Sequence, residues 1–215
     1  MSESKNLEYL PFTQKFSSGA SLIADAVISV IAEQGFDAIS VRKVANRAKV
    51  ASGTVQYHFP SKEALLRAGF IRSIQRQSER GLETRKHSEI TTVTPEILYL
   101  LLEDLLPTSD SGREDAIAWV SFSANADSHD WLSKLYWQAL ELFQDRIIVG
   151  LTQLDKAYDL APGLSIKSAA HLISALVNGL TIDCLNAPDS VRQELSHELL
   201  SGLKCIIIPT STHKK

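Results

Sequence analysis

Between Ser40 and Lys62 the chain reads SVRKVANRAKVASGTVQYHFPSK, two short helical patterns with a sharp break between them. In the first, Val41, Val44, Ala45 and Ala48 recur at helical spacing and leave Arg42, Lys43, Asn46 and Arg47 outside. The second is predicted from Ala51 or Ser52 to Phe59, with only Val55 and Phe59 turned inward. Ser52, Thr54, Gln56 and Tyr57 are therefore left facing out. Helices this short, with so little apolar surface, do not hold together alone. They must be clamped by a third helix, and that requirement constrains the rest of the chain. The stretch carries five basic residues (Arg42, Lys43, Arg47, Lys49, Lys62) and no acidic one. A basic helix–turn–helix with a polar, exposed second helix is how a protein enters the major groove of DNA.

The clamp lies just upstream. From Ser21 to Gln34, Ile23, Val27, Val30 and Ile31 make one helical face, and Gly35 stands where a C-cap glycine belongs. Ser40 is the predicted N-cap of the next helix. Residues 1–18 have no period and are predicted as a flexible arm, with Lys5 and Lys15 within reach of a DNA backbone. Downstream, Pro60 stops the second short helix, Ser61 caps a long arginine-rich helix, and five further helical patterns follow to about Ile208. No β-alternating pattern or internal repeat is seen. The expectation is an all-α fold of about nine helices, with a three-helix head at 19–66 and a larger helical body at 67–210.

Charge divides in the same way. Residues 1–86 carry +5, and residues 87–215 carry −8. A basic head on an acidic body suits a polyanion-binding module whose body stays clear of the polyanion. No apolar run approaches the roughly 20 residues of a membrane span, and the N-terminus lacks an apolar signal core. No membrane partner is expected. Cys184 and Cys205 both fall in apolar patterns and read as small buried residues in a reducing cytoplasm. Phosphate-binding loops, dinucleotide fingerprints, HExxH, GxSxG and CxxC are absent, and the six histidines lack metal-ligand spacing. The alternatives are an all-helical enzyme, against which the missing motifs and lack of clustered acidic residues argue, and a protein-binding scaffold, against which the acid-free basic stretch argues.

Residues 23–67 closely resemble the DNA-binding head of the TetR/AcrR family of bacterial transcription regulators. The resemblance rests on Gly35-Phe36, Ser40-Val41-Arg42, Gly53-Thr54-Val55-Gln56-Tyr57-His58-Phe59 and Ser61-Lys62-Glu63. In the body, Trp119-Val120-Ser121-Phe122 and Leu176-Val177-Asn178-Gly179-Leu180 are similar to the BetI-like branch. The resemblance implies that Ser40, Arg42, Tyr57, His58 and Lys62 grip phosphates. It puts Ser52, Gly53, Thr54 and Gln56 on the groove floor, where glutamine can pair bidentately with adenine. Tyr57 can equally pack the head, His58 can be a structural hydrogen-bonder, and Gly53 can serve helix packing alone. Two departures stand out. Lys49 occupies the turn where the family has glycine, which predicts a turn that is either strained, with a left-handed lysine, or differently shaped, and Ala51 replaces the usual serine cap, leaving Ser52 as the expected cap.

The resemblance also implies a cytoplasmic homodimer on a double-stranded DNA operator, most simply a repressor released by a small-molecule inducer, with no cofactor. Trp119, Phe122, Asn125, His129, Trp137 and His171 are candidates for the effector pocket, with core packing as the other reading of the aromatics. The last two helices carry apolar stripes at Ile173, Val177 and Leu180, and at Val191, Leu195, Leu199, Gly202 and Ile206. These suit either a four-helix interface between two subunits or an intrachain core.

Overall fold

The computed structural model describes residues 10–13, 15–86 and 92–210. Ten α-helices occur among them: α1 Leu10–Thr13, α2 Ser18–Gln34, α3 Val41–Ala48, α4 Ser52–His58, α5 Lys62–Lys86, α6 Pro95–Leu102, α7 Asp110–Asn125, α8 Asp130–Leu151, α9 Ile166–Asn186 and α10 Asp189–Ile206. The all-α expectation holds. One small exception was not visible as alternation: β1 Tyr158–Leu160 pairs antiparallel with β2 Ile207–Pro209, Tyr158 opposite Pro209 and Leu160 opposite Ile207. Three residues a side are too few to show a period.

Helix ends follow local chemistry. The hydroxyls of Ser17, Ser40, Thr94 and Ser165 each accept a backbone N–H from the first turn of their helix. Pro95 opens α6, where its missing N–H costs nothing. Gly35 ends α2 at φ +88°, a conformation that favours glycine, with its N–H on the Ile31 carbonyl at 2.9 Å.

The chain divides into two compact units, one of residues 1–78 and 114–139, the other of 79–113 and 140–215. The first buries Ile23, Ile28, Ile31, Val44, Val55, Leu65, Phe70, Phe122 and Leu132. Gly69 gives α5 its close approach to Val27 of α2. The predicted flexible arm is ordered in part: Phe12 of α1 is buried edge-on to the Phe70 ring at 6.4 Å, and Gln75 donates to its carbonyl. An apolar residue without periodic neighbours gives no sequence signal of this kind. Lys5 lies outside the described residues.

The second unit is built around Leu98, Leu102, Leu106, Ile147, Leu151, Ala169, Ile173, Val177, Leu199 and Leu203. Of the two readings of the apolar stripes, interface or intrachain core, the core applies to most of their residues. Ile173, Val177, Leu180 and Leu199 are buried within the single chain, and Gly202 lies against the Leu176 side chain. Leu195 and Ile206 are half-buried, and only Val191 is exposed. Spacing finds the apolar face of a helix but not what covers it. The outward face of α9 is instead Leu172, Ala175, Gly179 and Ile182, with Leu172 48% and Ile182 47% exposed. By length and composition alone α9 could cross a membrane, contrary to the sequence reading. Its Ala169–Ala170–Ile173–Val177 face packs as a core helix does. Cys184 is buried as expected, while Cys205 is exposed.

Candidate nucleic-acid interface

The helix–turn–helix forms as two short helices clamped on α2. Ser40 caps α3 by accepting from the Lys43 N–H at 3.3 Å, so its hydroxyl already has a structural duty. Lys49 ends α3 in the left-handed region at φ 56°, ψ 42°, the single non-glycine residue with positive φ among those described. Its N–H reaches the carbonyls of Ala45 and Asn46, and Val50 donates to Ala45 at 3.1 Å. These bonds hold a turn that glycine would adopt at lower cost.

Helix α4 is capped differently from expectation. Its N-cap position is Ala51, whose methyl group can accept no hydrogen bond, and Ser52 is the first helical residue. The helix is therefore fixed by tertiary contact rather than by its cap. Val55 is fully buried, and Phe59 closes the end with its N–H on Val55 and its ring edge-on to Phe16 at 6.3 Å. Every other residue from Ser52 to Tyr57 is exposed, and Tyr57 is 85% exposed. A Cβ on Gly53 would meet nothing within 4 Å, so packing does not require a glycine there. The absence of a side chain leaves the backbone open to close approach from outside.

Around this row stand the proposed phosphate-gripping groups. Arg42 is exposed on α3, and Lys62 is exposed at the start of α5, its ammonium donating to the Asp37 carbonyl at 3.2 Å. His58 is half-buried: its ring lies 5.2 Å from Tyr57, and its Nε2 is 3.1 Å from where a Cβ on Gly19 would stand. The imidazole thus rests on the first turn of α2, a contact that residue spacing does not reveal. Arg47, basic and outward by spacing, is 3.0 Å from Glu33 and 3.9 Å from Glu114.

The candidate effector residues are not gathered into one cluster. Trp119 stacks between Phe70 and Tyr136, at centroid distances of 6.1 and 4.7 Å. Phe122 is fully buried against Phe70 and Phe36, and His129 stands 6.0 Å from Phe36. Asn125 donates to the Ser121 carbonyl of its own helix. Trp137 is 60% exposed, and His171 is exposed on α9 in the other unit. Arg67 lies 4.6 Å from the Trp131 ring, a cation–π contact in the first unit.

A family profile described as "Bacterial regulatory proteins, tetR family" matches residues 23–68, and one described as "BetI-type transcriptional repressor, C-terminal" matches residues 95–202. The HTH-type transcriptional repressor KstR of Rhodococcus jostii is 41% identical over 180 residues, covering 80% of this chain and 84% of KstR. The chain belongs to the TetR family. It is a DNA-binding transcriptional regulator and not an enzyme. The HTH-type transcriptional regulator BetI of Rhizobium meliloti is 27% identical over 180 residues, covering 77% of this chain and 86% of BetI. Among solved structures, a transcriptional regulator from Rhodococcus sp. Rha1 is 25% identical at a TM-score of 0.73, covering 88% of this chain and 96% of that one. A regulator from Saccharomonospora viridis in complex with choline shares the fold at a TM-score of 0.75 and 21% identity, covering 90% of this chain and all of its own.

Proposed function

We propose that this TetR-family regulator is a cytoplasmic repressor that binds a pseudo-palindromic operator as a homodimer and is released by a small molecule. The observation that carries the reading is the outward row of α4. Ser52, Gly53, Thr54, Gln56 and Tyr57 are all exposed on a helix whose only fully buried side chain is Val55. Gln56 reads a base edge, while Arg42, Tyr57, His58 and Lys62 grip phosphates. Two such helices must stand about 34–36 Å apart to enter successive major grooves on one face of the duplex.

The second copy docks on α9. Its exposed Leu172, Ala175, Gly179 and Ile182 form the outward apolar stripe that a two-fold helical interface needs. The effector, of unidentified chemistry, acts at the aromatic cluster around Trp119 and Phe122. To release DNA it must favour the non-binding state by ~1–3 kcal/mol or more. No separate cofactor is needed. The deciding experiment is selection of bound duplex from a random pool. A dyad-symmetric consensus supports the reading, and enrichment without dyad symmetry overturns the dimeric part of it.

A further inference from the structure

Glu114, in the second turn of α7, is shared by three helices of the first unit. Its Oε1 accepts from the Ser29 hydroxyl of α2 at 3.1 Å and lies 3.9 Å from Nη2 of Arg47 on α3. Its Oε2 lies 3.3 Å from Nη2 of Arg76 on α5. The same Arg47 nitrogen is 3.0 Å from Glu33 of α2. Arg76 is held further by Asp115 at 3.3 Å, a carboxylate only 1% exposed, and by Asp25 at 3.8 Å. Asp25 also takes Arg72 at 3.0 Å. Side chains from α2, α3, α5 and α7 thus form one connected set of ion pairs.

Arg47 sits in the last turn of α3, two residues before the left-handed Lys49 that turns the chain into α4. Whatever fixes Arg47 fixes the approach to that turn. Two carboxylates face its guanidinium, at 3.0 and 3.9 Å, and tie it to α2 and α7. The Arg47–Glu33 pair is well exposed and by itself worth little. Glu114 is more covered, accepts hydrogen bonds from Ser29 and Arg76 and has the Arg47 charge 3.9 Å away, which makes it the anchor. We propose that Arg47 and Glu114 are positioning residues for DNA binding: their pair sets the angle at which α4 is presented, and neither touches the DNA. The proposal rests on α4 being the DNA-facing helix.

The test uses the full chain and the duplex recovered by selection. Affinity is measured over a range of salt for Arg47→Ala, Arg47→Lys, Glu114→Gln, the Arg47→Ala/Glu114→Gln double variant and Arg42→Ala, with folding followed by circular dichroism at the same temperature. Arg47→Ala is expected to weaken operator binding by about tenfold, ~1.4 kcal/mol, with an unchanged slope of log Kd against log salt. Arg42→Ala, at a phosphate contact, lowers that slope by about one. Arg47→Lys regains most of the loss, and the double variant binds like Glu114→Gln alone because both act through one contact. The proposal is overturned if Arg47→Ala lowers the slope as Arg42→Ala does, or if the variants lower thermal stability with no change in operator affinity. An unchanged slope in Arg42→Ala removes the DNA-facing assignment itself, and the positioning role with it. Arg47 is nearly half exposed, so its variants remain informative even where Glu114→Gln fails to fold.

Discussion

Gly69 of α5 lies so close to Val27 of α2 that a Cβ at residue 69 would stand 2.5 Å from Val27 Cγ1 and 3.1 Å from its Cβ. Valine is stiff at χ1 and cannot swing away within its helix. Gly69→Ala is therefore expected to destabilise the protein by about 1–3 kcal/mol, although alanine is the better helix former. Gly202→Ala, which meets the flexible end of Leu176, should cost less. The urea midpoints of the two variants check the order.

Lys49 holds φ 56° in the turn between α3 and α4. Left-handed geometry costs a non-glycine residue roughly 1–2 kcal/mol, while glycine adds about 0.5–1 kcal/mol of chain entropy to folding. Lys49→Gly should thus stabilise slightly, by about 0.5 kcal/mol, and Lys49→Val should destabilise, since β-branched residues tolerate this region worst. Melting temperatures in the order Gly, Lys, Val would bear this out. Valine equal to lysine would refute it.

The helix–turn–helix was legible because its features are local: a cap at Ser40, a break at Lys49, and two inward residues, Val55 and Phe59. Cap chemistry misled only at Ala51, where burial of Val55 and Phe59 holds α4 without a cap. The choice between interface and core was not legible because α9 has two apolar faces. Periodicity selects the richer one, which the chain buries for itself at Ile173 and Val177. The docking of Phe12 on Phe70, the seat of His58 on Gly19 and the sharing of Glu114 join residues 38 to 85 positions apart. Such contacts leave no pattern in one sequence.

Base and phosphate contacts should separate in solution. Gln56→Ala is expected to cost about 1–3 kcal/mol on the selected operator and nothing on random duplex, relaxing preference at one base pair. Lys62→Ala should weaken binding to all sequences and reduce the salt slope by about one. Titrations of both variants on both duplexes at two salt concentrations distinguish the roles. Equal losses on operator and random DNA for Gln56→Ala would contradict its assignment.

Glu96 of α6 accepts from Lys204 of α10 at 2.9 Å, and this hydrogen bond holds its carboxyl below the ordinary carboxylate range. A lowered folded value contributes stability above the ordinary range, lost as pH falls through the folded value. Both side chains are about half exposed, so the contribution is small, below ~0.5 kcal/mol. Lys204→Met should lower the melting temperature slightly at pH 7, and the difference should fade in acid below the folded-state value, where the carboxyl is protonated. A difference that persists in acid would mean that Lys204 contributes by packing instead.

Ile173 and Ile182 lie on the same helix but on opposite faces, the first fully buried and the second 47% exposed. Ile173→Ala removes methylenes from a closed core and should cost about 2–5 kcal/mol of stability. It should leave the oligomeric state of the folded fraction unchanged. Ile182→Asp leaves the core intact and places a charge on the outward stripe beside Gly179. A charge buried in an apolar interface without a partner is costly, so this variant should sediment as a monomer with near-normal helicity. It should also lose affinity for the dyad operator while keeping weak, salt-sensitive binding to random duplex, because a single head still carries Arg42 and Lys62. If Ile182→Asp remains dimeric, the second copy docks elsewhere than on α9.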